Sequence, residues 1–299
     1  MPPASAADVL QKLFSIIAPV FVCAAIGFIW AKRGRAYDVE LVTTLVTSIG
    51  APCLIFHTLA NVALGAEGLT TMMGATITVI AACAATGAVI LHFAGLSQRA
   101  FLPTLIFSNS GNMGMPLCYL AFGDAGLAMA IAVFTVYAAM QFTLGVSLAS
   151  GSVSLRMLAR VPLLYAVPLA LAFLLTGTKP PAWINATTSL LGGLTIPMML
   201  ITLGVSLAGL AVSSAGRSLM LAMLRLVMGL AFGTVVAAVF GLEGVARSVL
   251  ILQAAMPVAV FNYLFAVRYK TAPAEVAGVV VLSTALAFLT LPALLWYVL

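Results

Sequence analysis

Ten apolar runs, each near the length needed to cross a bilayer, follow one another along the chain with short breaks of glycine, proline or charge between them. They cover residues 9–30, 39–60, 71–95, 100–122, 125–149, 157–176, 182–210, 217–242, 245–269 and 274–299. A hydrocarbon core about 30 Å thick takes roughly 20 apolar residues of helix, because a helix leaves no backbone polar group facing lipid. The pattern predicts an all-α membrane protein of ten transmembrane helices in one membrane domain. Only 7% of the residues are charged, against roughly 25% in a soluble domain, so water is not the main solvent. The first run is too long for the apolar core of a leader, and its cluster Lys32, Arg33 and Arg35 follows it instead of preceding it. It reads as a first span.

The net charge is +6, but the basic residues stand singly or in threes at the ends of apolar runs, without the stripe that nucleic acid needs. They sort by loop instead. Lys32, Arg33, Arg35, Arg99, Arg156, Arg160, Arg217, Arg268 and Lys270 fall on one face of the membrane, against Lys12, Lys179 and Arg247 on the other. The excess face is cytoplasmic by the positive-inside rule, which puts both termini on the outer side of a cytoplasmic membrane. Cys23, Cys53, Cys83 and Cys118 lie inside apolar runs without metal-like spacing and read as small core hydrophobes.

An odd number of spans before the basic segment 150–160, and five more after it, would place two halves in opposite orientations. The prolines support such a duplication. Pro52 in the second run has a counterpart in Pro197, 145 residues later, and Pro116 in the fourth has one in Pro257, 141 residues later. The expected organisation is a first five-helix repeat over 1–149, a short cytoplasmic linker over 150–160 and an inverted repeat over 161–299, a recurring design of secondary transporters.

The fourth run holds the most unusual stretch, Phe107-Ser108-Asn109-Ser110-Gly111-Asn112-Met113-Gly114-Met115-Pro116. Pro116 lacks an N–H and Gly111 and Gly114 let the backbone unwind, so the helix is expected to break here. Non-helical backbone at membrane depth is tolerated where it is buried in protein or lines a wet cavity. The ninth run repeats the pattern more weakly in Gln253-Ala254-Ala255-Met256-Pro257, followed by Asn262. Two broken helices crossing near the midplane would aim two half-helix N-termini at one point, each worth roughly half a positive charge, and so favour an anion. The candidate binding residues are therefore Asn109, Ser110, Gly111, Asn112, Gln253 and Asn262, with Gly114, Pro116 and Pro257 as crossover and hinge positions. His57 and Arg225 are accessory candidates. Arg225 lies about two turns into the eighth run, from where its long stem is expected to snorkel to the cytoplasmic surface.

The seven acids, Asp8, Asp38, Glu40, Glu67, Asp124, Glu243 and Glu275, fall at span ends or in loops. A relay of buried carboxylates is not expected, and two separated histidines without an embedded acid do not assemble an intramembrane protease. No phosphate-binding loop is present, and no cofactor or metal is expected.

Asn109 to Pro116, the Gln253 to Pro257 stretch, Phe265-Ala266-Val267-Arg268-Tyr269 and Leu282-Ser283-Thr284-Ala285 leading to Leu291-Pro292 together resemble the auxin efflux carrier family. That family includes plant PIN proteins and bacterial permeases described as malate or malonate carriers. The resemblance implies a ten-helix inverted repeat in which spans 1, 2, 6 and 7 form a scaffold, often a homodimer interface, while spans 3–5 and 8–10 move as an elevator. It also implies a substrate carboxylate at the crossover near Asn109. The short loop after the fifth run, and the lack of an acid in the third, place the chain nearer the bacterial branch than the plant one. The expected function is a secondary active carrier or uniporter for small mono- or dicarboxylates, with proton or sodium coupling left open. A sodium-coupled symporter of the bile-acid type is the alternative, and a channel a more distant one.

Overall fold

In a computed structural model the chain is all-helical, with no strand among the described residues, which are 6–61, 66–151, 163–176 and 178–299. The helices are α1 (Ala6–Lys32), α2 (Val39–Leu45), α3 (Ala51–Asn61), α4 (Ala66–Phe93), α5 (Gln98–Ile106), α6 (Met115–Met140) and α7 (Val146–Ser150). They continue with α8 (Leu163–Thr176), α9 (Ala182–Gly193), α10 (Thr195–Gly209), α11 (Ala215–Val239), α12 (Gly244–Ala254), α13 (Val260–Tyr269) and α14 (Pro273–Val298). Single π-helical turns at Val46–Gly50, Ser110–Gly114 and Gln141–Gly145 join α2 to α3, lead into α6, and join α6 to α7. Of the expected linker over 150–160, residues 152–160 lie outside the described residues, as do Arg156, Arg160 and the start of the sixth run.

Seven helical runs among the described residues are long and apolar enough to cross a membrane, where the sequence predicts ten spans. The difference has local causes. Run 245–269 is divided into α12 and α13, each too short alone. α8 is described over 14 residues. The fourth run starts in α5, and its second part is continuous with the fifth run in one helical stretch, Ser110–Ser150, in which Gly123 takes φ 63° and ψ −151°. A positive φ there costs a glycine nothing, so the chain kinks between the two apolar runs with helix on either side.

Each of the four prolines singled out in the sequence sits at a helix irregularity. Pro52 and Pro116 follow π turns by two residues, Pro197 follows the break between α9 and α10 at Leu194, and Pro257 lies in the non-helical stretch between α12 and α13. A proline removes one i→i−4 bond and crowds the preceding turn, and a π turn or a gap is how the helix absorbs that.

In lipid, apolar side chains gain little by leaving the solvent for a neighbouring helix, so helices associate through close packing of small residues. Gly27 of α1 lies against the Ile201 backbone, Gly204 of α10 against the Ala24 backbone, and Gly229 of α11 against Ala254 at the end of α12. Large side chains such as Phe14, Trp183, Leu190, Val239, Leu289 and Trp296 are exposed on the outside, where lipid covers them. The most buried part of the molecule is α5, the stretch after it, the start of α6, and α12.

Candidate functional site

The two interrupted helices meet at their interruptions. Ser108 and Val258 form an isolated antiparallel bridge. The Asn109 N–H donates to the Pro257 carbonyl at 2.7 Å, and the Ala259 N–H donates to the Phe107 carbonyl at 3.1 Å. These two bonds take backbone groups that no helix serves, as buried peptide groups require. The Val258 N–H is taken by Ser283 Oγ of α14 at 3.1 Å, and that hydroxyl donates on to Val280 O. Asn262 Nδ2 donates to Phe107 O at 3.3 Å, and Asn262 Oδ1 accepts from Gln141 Nε2 at 3.2 Å. Asn262 is thus a brace for the crossing strands, with both ends of its amide engaged, and it does not line the adjoining cavity.

After the bridge, the chain enters α6 through the π turn Ser110–Gly114, where the Asn109 carbonyl accepts from Gly114 N at 3.0 Å and from Met113 N at 3.3 Å. Gly111 packs against the Phe134 ring, and Gly114 against the Gln253 amide, close enough that a side chain at either would collide. Ser110, Gly111, Gly114 and Pro116 are all buried, whereas Asn112 is half-exposed and opens onto a cavity of about 420 Å³. That cavity is bounded by Val260 and Tyr263 of α13 on one side and by α2, its π turn and α10 on the other. Its polar lining is Asn112, Thr43, Thr47, Thr202, Ser206 and Tyr263, with no charged side chain. A volume of a few hundred Å³, mostly apolar with a few convergent polar groups, suits a small organic molecule.

Asn109 Nδ2 and both amide atoms of Gln253 are buried without a well-formed hydrogen bond, as is Ser108 Oγ, though the Gln253 amide faces the Cys118 thiol and Ser108 faces the Tyr137 hydroxyl; none of the three residues lines the cavity. Buried polar atoms without good partners are costly, about 1–3 kcal/mol each, and these gather about the crossing of the two interrupted helices.

Arg225 departs from the sequence expectation. It does not snorkel: it is fully buried at 0% exposure, and its guanidinium donates to two backbone carbonyls, Ala254 O at 2.7 Å and Leu105 O at 3.3 Å. Both carbonyls stand in the last turns of interrupted helices, α12 and α5, where intrahelical donors run out. The unmet groups outcompete the membrane surface for the charge. His57 is not brought to the crossover either. It lines a second cavity of about 390 Å³ with Thr58, Tyr119, Asp124 and Ser189, bounded by α1, α3, α6, α9 and α10.

The threonines and serine of the larger cavity carried no motif. Their signal is spacing, since Thr43 and Thr47, and likewise Thr202 and Ser206, are four apart and share a helix face. Tyr37 reinforces this wall from the loop before α2, its hydroxyl 2.7 Å from Thr202 Oγ1, and burial pushes its phenol pKa up.

The family described as membrane transport protein matches residues 13–153 and 146–297. An uncharacterized transporter of Methanothermobacter thermautotrophicus is 27% identical over 297 residues, spanning 93% of this chain and 95% of its own. With nearly its whole length matched, the chain is a multi-pass membrane transporter and belongs to the membrane transport protein family, that of the auxin efflux carriers.

Proposed function

We propose that the protein is a secondary carrier of small organic anions, mono- or dicarboxylates, across a cytoplasmic membrane, with the anion seated where the two interrupted helices cross. One observation carries the reading. Asn112 of the π turn and Val260 at the N-terminus of α13 line an uncharged, mostly apolar cavity, and three residues before Asn112 the buried Asn109 Nδ2 has no hydrogen-bond partner, although Asn109 itself does not line the cavity. Helix N-termini and amide N–H groups supply the positive potential and the donors a carboxylate needs, without a fixed cation in contact with it.

The wider reading is ten spans in two inverted five-helix repeats, both termini outside. Spans 1, 2, 6 and 7 would form a scaffold against which spans 3–5 and 8–10 move, as a dimer. The two cavities support a path: both run along α1, the α2–α3 helix and α10, one reaching Ala31, Val39 and Gly209, the other Pro19, His57 and Ser189. A carrier that exposes one site alternately to two faces needs such a continuous wall.

A second reading, a sodium-coupled symporter, is favoured by Gln253, whose buried amide has no well-formed hydrogen bond at either atom and could meet an ion or its water. Currents recorded on a solid-supported membrane from proteoliposomes decide between the readings. A panel of carboxylates is applied with and without proton or sodium gradients, to wild type and to Asn109→Ala with Asn112→Ala. Saturable currents weakened at least about tenfold by the double change, the scale of losing hydrogen bonds to a charged group, support the carrier. Wild-type behaviour of the double variant ends the site assignment.

A further inference from the structure

The crossover gathers four helix ends, and their charges can be counted. The C-terminal ends of α5 and α12 each carry roughly half a negative charge, and the N-terminal ends at Ser110 and Val260 roughly half a positive one. Alone, the four sum to zero, so an anion arriving in this buried interior would bring an uncompensated charge. Ordinarily a co-bound cation would have to neutralise it. Here the interior already holds one. Arg225 is fully buried and bonds to the Ala254 and Leu105 carbonyls, the negative ends of both first half-helices at once. Among the described residues no carboxylate answers it. The ion pair seen among the described residues is Arg217 with Glu275 at the membrane edge; Asp38, Glu40, Glu67, Glu243 and Glu275 lie at helix ends or in loops, and Asp124 stands beside the Gly123 kink of α6, lining the other cavity. The other groups around the arginine are neutral: Cys83 of α4 and Tyr137 of α6.

We infer that Arg225 is a built-in counter-charge for the crossover, cancelling the two helix C-termini so that the two N-termini are left to hold an anion without a co-transported metal cation. The inference rests on the anion-carrier reading and deepens it. With the guanidinium in place the count is one positive charge, and a single carboxylate closes it. Arg225 is a positioning residue in this account, acting through the Leu105 and Ala254 carbonyls and not by touching the anion. An arginine suits the task where a lysine would not, because its planar fork reaches two acceptors in fixed directions and holds its charge when buried. The amide of Gln253 then has water to meet, not a metal ion.

The test uses the intact protein in proteoliposomes at one pH. A carboxylate that evokes wild-type currents is titrated with sodium, potassium or N-methylglucamine as the cation on both faces. Half-saturation equal within about twofold in all three is expected; a tenfold or greater gain in sodium overturns the inference. Arg225→Gln, verified as folded by thermal unfolding, is expected to lose affinity at least about tenfold in every cation, with Arg225→Lys intermediate. A folded Arg225→Gln with unchanged half-saturation also overturns it. Should no carboxylate give a current, the carrier reading falls, and a separate arm still decides the inference: thermal unfolding of the ligand-free wild type in sodium against choline. Equal midpoints support a site already neutralised by Arg225. Stabilisation by sodium of more than about 2 °C, a difference of the order of 1 kcal/mol in a chain this size, refutes it.

Discussion

Gly204→Ala puts a methyl group where α1 and α10 touch backbone to backbone. An added Cβ would stand 2.8 Å from the Ala24 carbonyl carbon and 2.8 Å from the Phe28 nitrogen, and closer still to the Ala24 oxygen. Carbon contacts are most favourable from about 3.5 Å, so the helices must part by roughly 0.7 Å or more, and no side chain can rotate away to spare them. Gly27→Ala meets the same obstacle from the other helix, 2.8 Å from the Ile201 carbonyl carbon and 3.1 Å from its Cα. Overpacking of this kind costs about 1–3 kcal/mol. Because one parting movement relieves both collisions, the double variant is expected to lose little more than the worse single one, a coupling of about 0.5–3 kcal/mol. Equilibrium unfolding in detergent micelles measures all three. Single losses below about 0.5 kcal/mol, or a double loss equal to the sum, would refute the claim that α1 and α10 form one rigid glycine-packed unit.

Ser283→Ala strands the Val258 N–H in the interior, since Ser283 Oγ is its acceptor, and is expected to cost about 1–3 kcal/mol in thermal unfolding; a neutral result would mean the crossover is held elsewhere. His57→Ala is expected to leave carboxylate half-saturation within about twofold, because His57 faces the second cavity; a loss beyond roughly tenfold would move the site there. Cysteines introduced as Arg33→Cys and Glu243→Cys are expected to react with an impermeant maleimide from opposite faces, the first from inside. Labelling of both from one face contradicts the proposed topology.

How far the sequence reaches depends on what the information is made of. Asn109 to Pro116 was legible as a break because asparagine, glycine and proline cannot sit in a plain lipid-facing helix, and Ser110–Gly114 is a π turn beside a bridged strand-like stretch. The partnership of the two breaks was legible from Pro116 and Pro257, since both carry a missing N–H that must be accommodated. The place of Arg225 is not legible in the sequence, because its partners are the Leu105 and Ala254 carbonyls, 120 and 29 residues away, and backbone oxygens leave no letter there. Asn262 reads in the sequence as a binding candidate, whereas its bracing role depends on Gln141, 121 residues distant in the π turn after α6. The cavity wall of Thr43, Thr47, Thr202 and Ser206 does not stand out in the sequence because single hydroxyls are common in membrane helices, where they bond to their own backbone as Thr47 does to Thr43 O. Only the approach of α10 to the π turn makes them one surface.

The central claim is that a carboxylate sits at the crossing of the two interrupted helices. Its most direct test is a crystal structure of the protein with a bromine-bearing carboxylate from among those that evoke currents, located by anomalous scattering. The carboxylate is expected beside Asn109 and Asn112, with the bromine in the cavity walled by Thr47, Thr202 and Ser206. Bromine found instead in the cavity lined by His57 and Asp124, with the crossover empty, would contradict it.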